Sequence, residues 1–199
     1  MNTINEIEIN PRKYVRVMFG TKSGASGFEF KENEVNIANN WNPKETEPGL
    51  MGGFNFSVED KILRYLVRGD TICDVTIPED AEMIDCPNES CPHGIFRANK
   101  IIISNIRPMT DEIAMDLYKK SDLPDKSYYK SLAGCAVRGY KNTTMQIIKD
   151  RVNKENIDLV LSEFEDFVSP SHYWEKNGNE EFISEVKEYL KKIKQNKYD

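Results

Sequence analysis

A chain of 199 residues, 39% hydrophobic and 30% charged, can bury a real core as one unit or two small ones and is not the composition of a disordered protein. The net charge of −6 argues against a dedicated nucleic-acid binder, which carries a basic face or tail. No apolar run approaches the roughly 20 residues needed to cross a bilayer. The opening Met1-Asn2-Thr3-Ile4-Asn5-Glu6 has neither a basic nor an apolar leader, so an intracellular protein is expected, not a secreted one. In that setting the four cysteines are reduced thiols, and the sequons at Asn55, Asn88 and Asn142 are chance matches.

Residues 1–10 read as a polar lead-in. From Tyr14 the chain alternates, Val15, Val17 and Phe19 on one face and Tyr14, Arg16 and Met18 on the other, which predicts a strand. A glycine-rich loop, 20–27, leads to a second short strand with Phe28 and Phe30 on one face, and Val35 to Ala38 can make a third. The segment from Asn39 to Gly53 reads as a long surface loop exposing Trp41. Ser57 is a good N-cap residue, Glu59 and Asp60 suit a first helical turn, and Ile62, Leu63, Leu66 and Val67 give an apolar helical face ended by Gly69. Strands follow at Ile72 to Ile77, near Met83-Ile84, and at Ile101 to Ile103, the last suited to cover on both faces.

After Pro108 the pattern turns helical. Helices are predicted from Thr110 to Tyr118, Asp125 to Val137, Asn142 or Thr143 to Val152, Asn156 to Val168, and Glu180 to Lys194. Leu123-Pro124, Gly139-Tyr140 and Ser169-Pro170 separate them. The last helix runs from glutamates to lysines, an order that follows the helix dipole and needs no nucleic acid or membrane.

Several segments invite a chemical reading. The 20–27 loop lacks the glycine spacing of a phosphate-binding loop and precedes a strand, so a hairpin loop is the better account. Cys86, Cys91 and His93 have ligand chemistry suited to zinc, but a structural site normally needs a fourth ligand and none is adjacent; a proline-bracketed loop with two free thiols is favoured. Cys135 lies in an apolar helical stretch and reads as a packed hydrophobe. With only His93 and His172 in the chain, nucleophilic triads are poorly supplied.

Gly27-Phe28-Glu29-Phe30, Gly53-Phe54-Asn55-Phe56-Ser57, Cys73-Asp74-Val75 and Asn99-Lys100-Ile101-Ile102-Ile103 together resemble small phage and bacterial domains of unknown function. Over most of residues 14–168 the chain is similar to uncharacterised proteins of giant DNA viruses of the mimivirus type, in motifs that are structural and identify no reaction. Leu132 to Gly139 with Gln146 to Lys149 is similar to the paired helices of one ankyrin repeat, though a lone unit cannot stack. By order alone, Arg16, Ser57 and Glu82 resemble the arginine, serine and glutamate of ADP-ribosyltransferases. That resemblance implies NAD as the bound substrate, Arg16 on its pyrophosphate and Glu82 stabilising the ribosyl cation. No Ser-Thr-Ser sequence is present, and no Glu-x-Glu or Gln-x-Glu pair leads into the last strand.

The expectation is therefore an α+β protein, with a β-rich domain over 12–107 carrying one amphipathic helix and a helical part over 109–195. The leading functional expectation is a non-enzymatic interaction or virion-associated protein of the host cytoplasm or virion, with a protein partner and no cofactor or metal. Trp41, Tyr173 and Trp174 are its candidate contact anchors. The alternative is the transferase-like enzyme acting on NAD.

Overall fold

The computed structural model describes residues 12–24, 26–169 and 178–195. Tyr173 and Trp174 lie outside these residues. The strands are β1 (Tyr14–Met18), β2 (Val35–Ile37), β3 (Phe54–Val58), β4 (Thr71–Thr76), β5 (Met83–Asp85), β6 (Ile95–Ala98) and β7 (Lys100–Pro108). They form one antiparallel sheet in the order β2-β7-β4-β1-β3-β6-β5. The helices are α1 (Pro48–Met51), a 3₁₀-helix over Glu59–Arg68, then α2 (Asp111–Lys120), α3 (Asp125–Arg138), α4 (Lys141–Arg151), α5 (Ile157–Phe167) and α6 (Glu180–Gln195). The fold is α+β, with the strands in the first half and most helices after them.

Period-two alternation sorts the strand residues onto two faces. Met18, Phe54, Phe56, Cys73, Val75, Phe96, Ala98, Ile101 and Ile103 build one core with Phe30. Within it Phe56 and Phe96 stack at 5.7 Å, and Tyr14 meets each edge-on at 5.3 Å. Val15, Val17, Ile72 and Ile95 point the other way, into a larger core shared with the 3₁₀-helix and α2 to α6. The apolar face of the 3₁₀-helix lies against α3. There Gly134 brings the backbones close, since a Cβ at that position would stand 3.4 Å from the Val67 side chain.

Four local expectations are corrected. Ser57 does not cap the helix: it pairs with Val15 on one side and Ile95 on the other, so it belongs to β3, and the helix begins beyond Val58. Phe28 and Phe30 hold no strand ladder; their rings instead pack with Phe54 at 4.8 and 5.1 Å, joined to the sheet side by the Lys22↔Glu29 bridge. The 39–53 loop contains α1, and Trp41 is half-buried, donating from Nε1 to Glu82 at 2.6 Å. Finally, Ile101 and Ile103 are fully buried but Ile102 is only half-buried, so that run is covered completely on one face alone.

In the helical half Thr110 caps α2, accepting from the Ile113 N–H at 3.3 Å. Asp111 caps the next but one: its carboxylate accepts from the Asn142 and Thr143 N–H groups and from the Thr143 hydroxyl at 2.7 to 2.9 Å. These contacts satisfy donors at the start of α4 that no helical carbonyl can reach.

Candidate functional site

A cleft of about 410 Å³ opens where β1 and β3 part company. The two strands pair only at Tyr14↔Val58 and Val15↔Ser57, although both continue for three further residues toward Met18 and Phe54. Arg16 fills the head of that gap. Its guanidinium lies 4.9 Å over the Phe30 ring, donates to the Asn55 carbonyl and donates to Ser23 Oγ at 3.1 Å. Arg16 is 8% exposed, so this is a buried cation engaged by the protein itself.

One wall of the cleft is the 3₁₀-helix, and its geometry explains which side chains appear there. At three residues per turn, positions three apart are eclipsed. Ile62, Tyr65 and Arg68 therefore form one line, and all three border the cleft. Arg68 extends over the Tyr65 ring at 5.2 Å. Burial pushes the Tyr65 phenol up to about 12, so it stays a neutral hydroxyl; its oxygen accepts from Asn88 Nδ2 at 3.1 Å.

The opposite wall comes from the sheet. Asn55 of β3 faces Arg97 of β6 as a cross-strand pair, on the face away from the phenylalanine core, with Ile95 beside them. Arg97 Nη1 donates to the Gly52 carbonyl at 2.6 Å, which holds the guanidinium at the cleft. Burial lowers the Arg97 pKa, and the like charge of Arg68 adds to the effect against the opposing influence of Cys86. Both guanidinium groups border the same cleft.

The rim is supplied by loops. Thr46 and Met51 come from the 39–53 segment, and Asp85, Cys86, Pro87 and Asn88 from the end of β5 and the turn after it. That first segment is fixed by two glycines. Gly52 and Gly53 have φ of 73° and 70°, and a Cβ on Gly53 would stand 2.6 Å from the Trp41 ring. The indole can lie against the backbone only because no side chain intervenes.

Of the three residues that resemble a transferase triad, only Arg16 borders this cleft. Ser57 is 1% exposed, and its hydroxyl has no hydrogen-bond partner among the described residues. Glu82 is exposed and occupied by Trp41. The chain order that suggested the triad is preserved, but the sheet does not gather the side chains in one cavity. The zinc candidates are likewise dispersed: Cys91 is packed in the helix-side core, Cys86 borders the cleft with Sγ 3.7 Å from Met51 Sδ, and His93 is exposed. Among the described residues no group of three His, Cys, Asp or Glu could hold a metal ion. The Cys86 thiol is pushed up by burial, so no ready thiolate faces the cleft. Cys135 is fully buried, and burial raises it too, as its apolar surroundings lead one to expect.

Sequence reasoning missed Arg68, Arg97, Asn55 and Tyr65. No sequence signal marked them: Ile62, Tyr65 and Arg68 line up only because the segment is a 3₁₀-helix and not the α-helix that its apolar spacing predicts. No helix among the described residues is long and apolar enough to cross a membrane. No family model, curated protein or solved structure matches the chain.

Proposed function

We propose that this protein acts by binding, not by turnover, and that its binding site is the arginine-bearing cleft, which takes an anionic ligand. One observation carries the reading: Arg68 and Arg97 face a 410 Å³ cleft, and neither is ion-paired with a carboxylate among the described residues. Among the described residues Asp85 is the one acidic residue at the rim. Cations left without counter-charge in a concave, largely apolar site favour an anion, and the volume falls in the range of small-molecule sites. Among the described residues no histidine borders the cleft, and the thiol that does, Cys86, has its pKa raised by burial. These features support the non-enzymatic expectation over the NAD-dependent alternative.

The resemblance to giant-virus proteins supports a place for this binding in the host cytoplasm or in a virion, where the anion can belong to a partner protein. The test is thermal melting of the full chain at low ionic strength with citrate, inorganic phosphate, pyrophosphate and NAD. A saturable upward shift with at least one anion, reduced in Arg68→Gln, is expected, because a ligand of the folded state raises its stability by mass action. No shift with any anion, at concentrations up to tens of millimolar, overturns the reading.

A further inference from the structure

Resting on the reading of the cleft as an anion site, we propose that its ligand is a phosphate monoester with a flat, hydrogen-bonding organic body, of the nucleoside monophosphate class. Three observations on this site converge. Two guanidinium groups, Arg68 from the 3₁₀-helix and Arg97 from β6, border the same cleft, which suits a group carrying two negative charges. Guanidinium donors match the oxygens of a phosphate in a fork geometry that a single ammonium does not offer. Arg97 spends one nitrogen on the Gly52 carbonyl and keeps its remaining donors for a ligand.

The second observation is Asn55. Its backbone carbonyl is taken by Arg16, but its side-chain amide has no hydrogen-bond partner among the described residues. It stands directly across from Arg97 on the same face of the sheet. Side chains so paired lie within about 5.5 Å at Cβ. A donor and an acceptor are thereby set beside the phosphate position, where they can read the polar edge of a heterocycle or a sugar hydroxyl. A bare oxyanion would leave both unused.

The third observation is the apolar wall. Ile62, Tyr65, Ile95 and Met51 border the same cavity, and the Tyr65 ring already carries the Arg68 cation on its face. A planar body laid against this wall would be covered on one side by apolar atoms while its charged end meets the arginines. Arg16 has a different role. Engaged with Asn55 and Ser23, it holds the gap between β1 and β3 open and positions Asn55 without needing to touch the ligand.

The decisive experiment is calorimetric titration of the full chain at low salt with adenosine monophosphate, inorganic phosphate and citrate, on the natural sequence and on Arg68→Gln, Arg97→Gln, Asn55→Ala and Lys31→Gln. One-to-one binding of the nucleotide is expected, at least tenfold tighter than inorganic phosphate. Arg68→Gln and Arg97→Gln should each weaken it roughly ten- to hundredfold, the range for losing a hydrogen bond to a charged group. Asn55→Ala should weaken the nucleotide and leave inorganic phosphate unchanged. Lys31→Gln, on an exposed loop, should change nothing. Arg68 makes no hydrogen bond that the fold depends on among the described residues, so its variant remains informative if Arg97→Gln melts early. Nucleotide and phosphate binding equally well overturns the organic-body part of the proposal. Citrate binding without the nucleotide overturns the phosphate-ester class while leaving the anion site standing. Binding of none removes both.

Discussion

At the scale of single residues, the charged groups of this protein divide into those the fold uses up and those it leaves facing the cleft. Asp74 is of the first kind. Its carboxylate accepts from Asn105 Nδ2 and Arg107 Nη1, each at 3.1 Å, and Lys13 Nζ lies 3.6 Å away. Burial alone would raise its pKa, but the Asn105 hydrogen bond and the two cations together hold it below the ordinary carboxylate value. A carboxylate depressed in the folded state contributes stability that is present above the unfolded pKa, about 3.9, and is lost as pH falls through the lower folded value. Asp74→Asn should therefore cost about 0.5 kcal/mol at pH 7, a figure kept small because solvent screens a group this exposed. The gap between the two proteins in urea melts should close as pH is lowered from about 5 to about 3. A gap constant across that range would mean the loss is one of packing. Arg68 is of the second kind, and its lack of a carboxylate partner among the described residues is what makes it readable as a ligand contact.

At the scale of elements, most of the helical half was legible because its signals are local. Thr110 as an N-cap, Pro124 before α3 and the acid-to-base gradient of α6 each act within a turn or two of themselves. The 3₁₀-helix was not legible as such. Ile62, Leu63, Leu66 and Val67 follow the α-helical spacing, and only Leu63 and Leu66 stand three apart, so the local pattern points to an α-helix; the 3₁₀ form belongs to a segment packed between β1 and α3. Ser57 was misread for a related reason: a serine before two acids is a cap unless strands claim it from both sides, and β1 and β6 do. The cleft inherits both ambiguities, since its walls are that helix and that strand pair. How α6 is held can be decided by magnitude. Leu190 is fully buried among α3 and α5 residues, whereas Lys194 and Asp158 pair at 2.8 Å with both side chains more than 40% exposed. Leu190→Ala should cost about 2–5 kcal/mol. Lys194→Ala should cost under about 1 kcal/mol and lose even that in high salt. Chemical denaturation of the two variants checks the order, and a larger loss for the lysine would mean that α6 is docked by charge.

At the scale of the whole molecule, the division of the chain into a β-rich part over 12–107 and a helical part over 109–195 meets a core that does not respect it. Val15, Val17, Ile72 and Ile95 of the sheet are buried in one cluster with Leu132, Ile147, Phe164 and Leu190 of the helices. The 3₁₀-helix is the joint between them. Arg138 of α3 donates from Nε to the Val67 carbonyl at 2.8 Å, and Gly134 lets Val67 approach the same helix. Cutting the chain after residue 107 would expose this face of Ile62, Leu63, Leu66 and Val67 and remove the group that fixes the C-terminal end of the helix. Among the described residues none of the helical half borders the cleft, yet Tyr65 and Arg68 are held in line only while their helix is held. The fragment 12–107 is therefore expected to melt without a cooperative transition, to bind an apolar dye, and to lose the anion-induced stabilisation of the full chain. The full chain is expected to unfold in one step by near- and far-UV circular dichroism. Cooperative melting of the fragment with its anion response intact would show that the β-rich half is a domain in its own right. The helical half would then serve some purpose other than shaping the cleft.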